Sequence, residues 1–215
     1  MNSGPPNNPH RDSAAQADAP AWHSRGYLPH FEGAETVQHV TFHLADSLPK
    51  GVLDRLDEEI RDLPMDLRVI ERRQQIEAWI DAGHGSCVLR EPVAAAVVQS
   101  ALLYFDAGRY HLMAWVVMPN HVHVLFQPLP GWTMGQIVAS WKKFTARSIS
   151  ASRPPGIGVP GETSNLFWHR EYWDRYIRNE RHFRQTVQYI HENPVKAGLA
   201  AKAEDWRWSS AFSKR

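Results

Sequence analysis

The chain of 215 residues carries 24 Lys/Arg against 23 Asp/Glu, a formal charge of +1, and 43% apolar residues with nine Trp and eight Phe. These figures exclude an intrinsically disordered chain and remove net charge as a guide to a polyanionic partner, so any basic surface must come from local clustering. A single cysteine, Cys87, excludes an intramolecular disulfide and a multi-cysteine metal site, and fits a reducing compartment.

Residues 1–22, beginning MNSGPPNNPHRDSAAQADAP, read as a flexible leader, because Pro, Asn, Ser and Ala bury too little surface to offset ordering entropy. They lack the apolar stretch of a secretory signal, and no run approaches the ~18 apolar residues of a spanning helix. The expected location is the cytoplasm, among nucleoid DNA, with no membrane partner.

ETVQHVTFHLA (35–45) alternates and is rich in β-branched and aromatic residues, as in a strand. PKGVLDRLDEEIRDLP follows as a helix with Val52, Leu53, Leu56 and Ile60 at helical spacing. LRVIERRQQIEAWIDAG is a second helix, with Ile76, Trp79 and Ile80 apolar and Gly83 as its stop. Together they form a helical insertion over about residues 50–83, within a single domain over 23–215. A third helix (91–108) has Pro92 in its first turn and Gly108 at its end.

YHLMAWVV and HVHVLFQ, joined by MPN, read as a hairpin. TMGQIVASWKKFTARSIS is an amphipathic helix with Ile137, Trp141 and Phe144 on one stripe. SRPPGIGVPGETSN is a loop, and LFWHREYWDRYI is extended or irregular. NERHFRQTVQYIHEN is the last helix, capped by Asn179 and followed by Pro194. The pattern predicts an α+β fold, a ferredoxin-like antiparallel sheet covered by helices, with the helical insertion after the first strand.

Within VVMPNHVHVLF, strand alternation puts His121, His123 and Leu125 on one face and Val122, Val124 and Phe126 on the other. Both imidazoles can then bind one ion, although a pair of hydrogen-bonded sheet histidines fits the same pattern. A cupin-type HxH site would want an acid shortly afterwards, where this chain has Gln127, and two imidazoles leave an ion short of ligands. On the last helix, Tyr189 shares a face with Gln185 and Asn193, offset from the stripe of Phe183, Val187 and Ile190. Tyr172 and Tyr176 are competing tyrosines without such amides.

PNHVH followed by FWHREYWDRYIRNERHFRQTVQYIHENPVKAGL and EDWRWSSA resembles the REP-associated tyrosine transposases, of the single-tyrosine HUH endonuclease class. The resemblance runs from about Glu35 to the C-terminus. It implies a metal-dependent endonuclease and strand transferase acting on single-stranded DNA hairpins of repetitive extragenic palindromic type, with Tyr189 as nucleophile. It further implies that His121 and His123 bind Mg²⁺ or Mn²⁺, with Asn193 where many relatives of the wider class have a Gln ligand. Lys142, Lys143, Arg147, Arg170, Arg175, Arg178, Arg181 and Arg184, interleaved with Phe167, Trp168, Tyr172 and Trp173, are the candidate DNA surface. A monomer is expected, with a dimer as the alternative. Competing readings are a hairpin-binding protein that does not cut, a hydrolase with a structural Tyr189, and a ferredoxin-like RNA- or nucleotide-binding domain.

Overall fold

The computed structural model describes residues 21–24, 29–32, 36–48, 50–152 and 167–212. The leader up to residue 20 and most of the Pro/Gly-rich loop therefore lie outside the described residues. Two short strands that the sequence reading did not anticipate, β1 (Ala21–Ser24) and β2 (Pro29–Glu32), pair antiparallel.

The main sheet is built from β3 (Gln38–His43), β4 (Tyr110–Val117), β5 (His121–Pro128) and β6 (Trp173–Tyr176). Its order is β4-β5-β3-β6, antiparallel throughout. With α3 (Pro92–Tyr104) between β3 and β4, and α4 (Met134–Ala151) between β5 and β6, this is the ferredoxin-like arrangement. The aromatic stretch read as extended or irregular supplies β6, the fourth strand. The edge of β4 is covered by the chain near the C-terminus, where Val117 N–H donates to the Trp208 carbonyl at 2.8 Å and Ser210 N–H to that of Trp115 at 2.9 Å.

The two sheet faces differ because side chains alternate along each strand. Val40, Phe42, Val122, Val124 and Phe126 point to one face and bury against Ala95, Val98 and Leu102 of α3 and Ile137, Val138 and Trp141 of α4. A bulge in β4 between Leu112 and Ala114 shifts the phase. Tyr110, Trp115 and Val117 therefore join this core, while Ala114 and Val116 face the other way. In α4 the buried row is Ile137, Trp141 and Thr145, one turn apart; Phe144, expected on the stripe, is 55% exposed.

The opposite face carries His39, Thr41 and His43 from β3 and His121 and His123 from β5, in register as Thr41 with His123 and His43 with His121. Half of it is roofed by α5 (Glu180–Lys196), whose Ile190, Phe183 and Val187 pack on Ala114, Val116 and Leu125. Asn179 caps α5 by accepting the His182 N–H at 2.9 Å. Pro194 lies inside this helix rather than beyond it: it sits so near the end that its missing N–H removes a single late-turn bond.

The other side of that face meets the insertion, α1 (Lys50–Glu59) and α2 (Met65–Asp81). Leu56, Ile60, Ile76 and Ile80 cluster with Leu48 and against Trp173. After α2 the chain turns through Gly83 at φ +76° and Gly85 at φ +91°. A Cβ on Gly85 would stand 2.9 Å from the Asp46 carbonyl oxygen, so this turn needs glycine sterically as well as conformationally. By contrast α3 ends at Tyr104, and the left-handed residue beyond it is Ala107 (φ 60°), not the expected Gly108.

Candidate metal and nucleophile site

The seam between α2 and α5 brings together side chains from three elements, α2, β5 and α5. His121 and His123 are buried, at 0% and 2% exposure, and their Nε2 atoms stand 3.0 Å apart. Asn193, one turn after Tyr189 on α5, places Nδ2 3.3 Å from His123 Nε2. The Tyr189 and His123 rings lie 5.2 Å apart, edge to face. The four residues singled out from sequence for the metal and the nucleophile therefore occupy one site.

A fifth residue was missed. Asp81, the last residue of α2, sets Oδ1 3.3 Å from His121 Nε2 and 3.7 Å from His123 Nε2, and its Oδ2 accepts the Tyr189 hydroxyl at 3.1 Å. Asp81, His121 and His123 offer ligand atoms all within 4.8 Å of one another. No local spacing announces Asp81, a single acid at the end of a helix whose role shows only in three dimensions.

The hydrogen-bond network settles how the imidazoles face. Asn120 donates through Nδ2 to the Ile80 carbonyl at 3.1 Å and the His84 carbonyl at 2.9 Å, which fixes its amide. Its Oδ1, 2.7 Å from His121 Nδ1, must then accept, so His121 carries its proton on Nδ1 and turns a bare Nε2 into the site. Thr41 Oγ1 stands 2.8 Å and His39 Nε2 3.3 Å from His123 Nδ1, so that ring too is held by polar partners on its Nδ1 side. This is how metal-ligating histidines are held.

Burial pushes His121 down to about 4, against the opposing pull of Asp81. Burial would raise the Asp81 carboxyl, but the facing His121 and His123 imidazoles outweigh it and hold it well below the carboxylate range. Burial, then the Asp81 charge, pushes the Tyr189 phenol far above its usual value. At neutral pH the site is thus a carboxylate and a neutral His121 beside a protonated phenol. The donor set fits a divalent cation, and one further observation agrees: Asn193 Oδ1, on a residue 2% exposed, has no hydrogen-bond partner.

The basic residues divide into two groups. Lys142, Lys143 and Arg147 of α4 line a groove of about 690 Å³ with Arg170, Phe167, Trp168 and Tyr172. The Lys142 ammonium donates to the His169 and Arg170 carbonyls at 2.7 and 2.9 Å, tying the groove walls together. The groove reaches the sheet rim at His169, whose ring stacks on His43 at 4.5 Å. Arg175 stands opposite His39 in register, Arg178 precedes α5, and Arg184 pairs with Glu180 at 2.9 Å on the exposed side of α5.

A family model described as "Transposase IS200 like" matches residues 87–193, a span holding His121, His123, Tyr189 and Asn193 together. Over that stretch the chain is similar to the IS200-like transposases. It is 28% identical over 105 residues to the REP-associated tyrosine transposase of Escherichia coli (strain K12), covering 47% of this chain and 54% of that protein. It is 26% identical over 103 residues to a putative REP-associated tyrosine transposase of Haemophilus influenzae (strain ATCC 51907 / DSM 11121 / KW20 / Rd), covering 47% of this chain and 58% of the relative. The matches thus span little more than half of these curated relatives. Among solved structures, a REP-associated tyrosine transposase bound to a REP hairpin superposes with a TM-score of 0.52 at 19% identity, over 87% of this chain and 81% of the other, a likeness of fold. Asp81 and the insertion lie before the stretch that matches the IS200-like family model. No helix among the described residues is long and apolar enough to cross a membrane.

Proposed function

We propose that this IS200-like chain is a metal-dependent endonuclease and strand transferase acting on single-stranded DNA hairpins through a covalent phosphotyrosine. The observation that carries the reading is Tyr189 beside His123 and one turn from Asn193, whose amide reaches the same imidazole. Hairpins of the repetitive extragenic palindromic type are the proposed substrate, supported by the curated relatives and the hairpin-bound structural neighbour.

The chemistry follows from what each group does. A phenol that holds its proton is a weak nucleophile, so the phosphate must be made the better electrophile. His121, His123 and Asn193 would hold Mg²⁺ or Mn²⁺, which when bound supplies positive charge against the charge developing on the scissile phosphate. The Tyr189 oxygen attacks phosphorus: the Tyr189 O–P bond forms and the bond from phosphorus to the 3′ oxygen breaks. The phenol gives up its proton, and the leaving oxygen takes one to become a free 3′-OH. The DNA 5′ end remains on Tyr189, and attack by a 3′-OH reverses the step and rejoins strands.

The groove of Lys142, Lys143, Arg147 and Arg170 would take phosphates, with Arg175, Arg178 and Arg184 nearer Tyr189. Tyr189 and the histidines come from one chain, which supports action as a monomer; work on nucleoid DNA in the cytoplasm belongs to the same reading. The test is incubation with REP-type single-stranded hairpins and Mn²⁺, scored for nicking and for a protein–DNA adduct. Tyr189→Phe is expected to abolish the adduct and keep hairpin binding, and an adduct on the Phe variant would overturn the assignment. His121→Ala or His123→Ala is expected to slow nicking by roughly 100-fold or more, from the loss of several kcal/mol of charge stabilisation.

A further inference from the structure

The last helical residue of the two-helix insertion reaches the middle of the site. We propose that Asp81 is a ligand of the same cation as His121 and His123, so that the insertion completes the metal site from outside the stretch matching the family model. This inference deepens the proposed function and rests on its metal site.

Geometry comes first. Asp81 Oδ1 faces both imidazole Nε2 atoms, at 3.3 and 3.7 Å, while Oδ2 holds the Tyr189 hydroxyl at 3.1 Å. One carboxylate therefore joins the cation ligands to the nucleophile. Its position is built rather than incidental. Ile80, the preceding residue, is buried in the insertion's core at 1% exposure. The carbonyls of Ile80 and His84, on either side of Asp81, both receive the Asn120 amide. The turn beyond is tied down where Asp46 Oδ2 accepts the Ser86 N–H at 2.7 Å. The same Asn120 sets the His121 ring, so one side chain aligns an imidazole and the carboxylate against each other.

Chemistry points the same way. Two imidazoles alone suit zinc, copper or nickel, whereas Mg²⁺ and Mn²⁺ favour oxygen. Asp81 Oδ1 adds an anionic oxygen, and Asn193, whose Nδ2 faces His123 Nε2 and whose Oδ1 is unpartnered, would offer a neutral one with its amide turned over. Two nitrogens and two oxygens, with one negative charge, make a mixed set suited to Mn²⁺. Without Asp81 the described residues of the site would bring no anionic ligand to the ion.

The experiment is a calorimetric titration of the purified full chain with Mn²⁺, free of DNA, for wild type, Asp81→Asn, Asp81→Ala and Glu71→Gln. Glu71 is an exposed acid on the same helix that bonds Gln75, and it serves as the control for general charge. Both Asp81 variants are expected to bind Mn²⁺ roughly 10- to 100-fold more weakly, and Glu71→Gln as wild type does. Circular dichroism confirms that each is folded; Asp81→Asn keeps the side-chain volume and decides the matter if the alanine variant unfolds. A folded Asp81→Asn protein with wild-type Mn²⁺ affinity would overturn the assignment, as would a wild type that binds no Mn²⁺. The two readings separate cleanly. Mn²⁺ bound through Asp81 with no adduct on any hairpin removes the nuclease alone, and an adduct-forming enzyme whose Mn²⁺ affinity ignores Asp81 removes this inference alone.

Discussion

The two faces of the sheet are made by the same strands, yet one is a core and the other carries the polar candidate site. Phe42 and Val122, on the α3–α4 face, are fully buried among apolar neighbours. Thr41 and His123, one residue along from each, are buried almost as deeply and are hydrogen-bonded to each other. Burial therefore does not separate the faces; what fills the buried space does. On the first face the apolar side chains contribute stability, about 1.5–3 kcal/mol for each large one buried. On the second, desolvated polar groups held in fixed directions give up stability for a pre-set arrangement of lone pairs.

The contrast can be strained from each side. The largest expected effect on stability is on the apolar face: Trp141→Ala should cost about 3–5 kcal/mol, read from urea unfolding, because its ring stacks on Phe42, meets Tyr110 and Phe126 edge to face, and donates its N–H to the Tyr110 hydroxyl at 3.0 Å. A loss below ~1 kcal/mol would mean that this face is not the main core.

The polar face should show itself through pH. His121 titrates near 4 when folded and near 6.5 when unfolded, and burial also lowers His39 and His43. Between those values the unfolded chain binds more protons, so stability is full above pH 6.5 and falls as the pH drops toward 4. His121 alone makes the fall about 3 kcal/mol by pH 4. Urea midpoints that stay flat from pH 7.5 to 4.5 would show that these rings are not held neutral in the fold. The smallest effect belongs to the helix that roofs this face: Asn179→Ala removes the α5 cap and should cost about 1 kcal/mol, measured by thermal unfolding.

Much of this was legible in the sequence where the cause is local. Alternation in HVHVLF separated the two faces, the Pro and Asn of MPN marked the hairpin, and helical spacing joined Tyr189 to Asn193. What escaped was set by contacts between distant segments. β6 has four residues, too few to display a period. The β4 bulge reverses which residues face the core, and no local composition marks it. Phe144 was assigned to the stripe of α4 by its hydrophobicity, whereas the packed row continues through Thr145, whose hydroxyl accepts from Trp168 Nε1 at 2.9 Å. Asp81 was hardest of all, because its meaning depends on a strand that begins much later in the chain.

Asn120 has a consequence for how such a protein can vary. On the insertion its Nδ2 grips main-chain carbonyls, at Ile80 and His84, atoms that every residue possesses. The insertion could accordingly be shortened, lengthened or exchanged for an unrelated helix and still deliver an acid to the histidines, provided the final turn offers two carbonyls at that spacing with Asp81 between them. The latch is indifferent to the identity of what it holds and strict about its shape, which makes the end of α2 a natural splice point for grafting a different arm onto the same polar face.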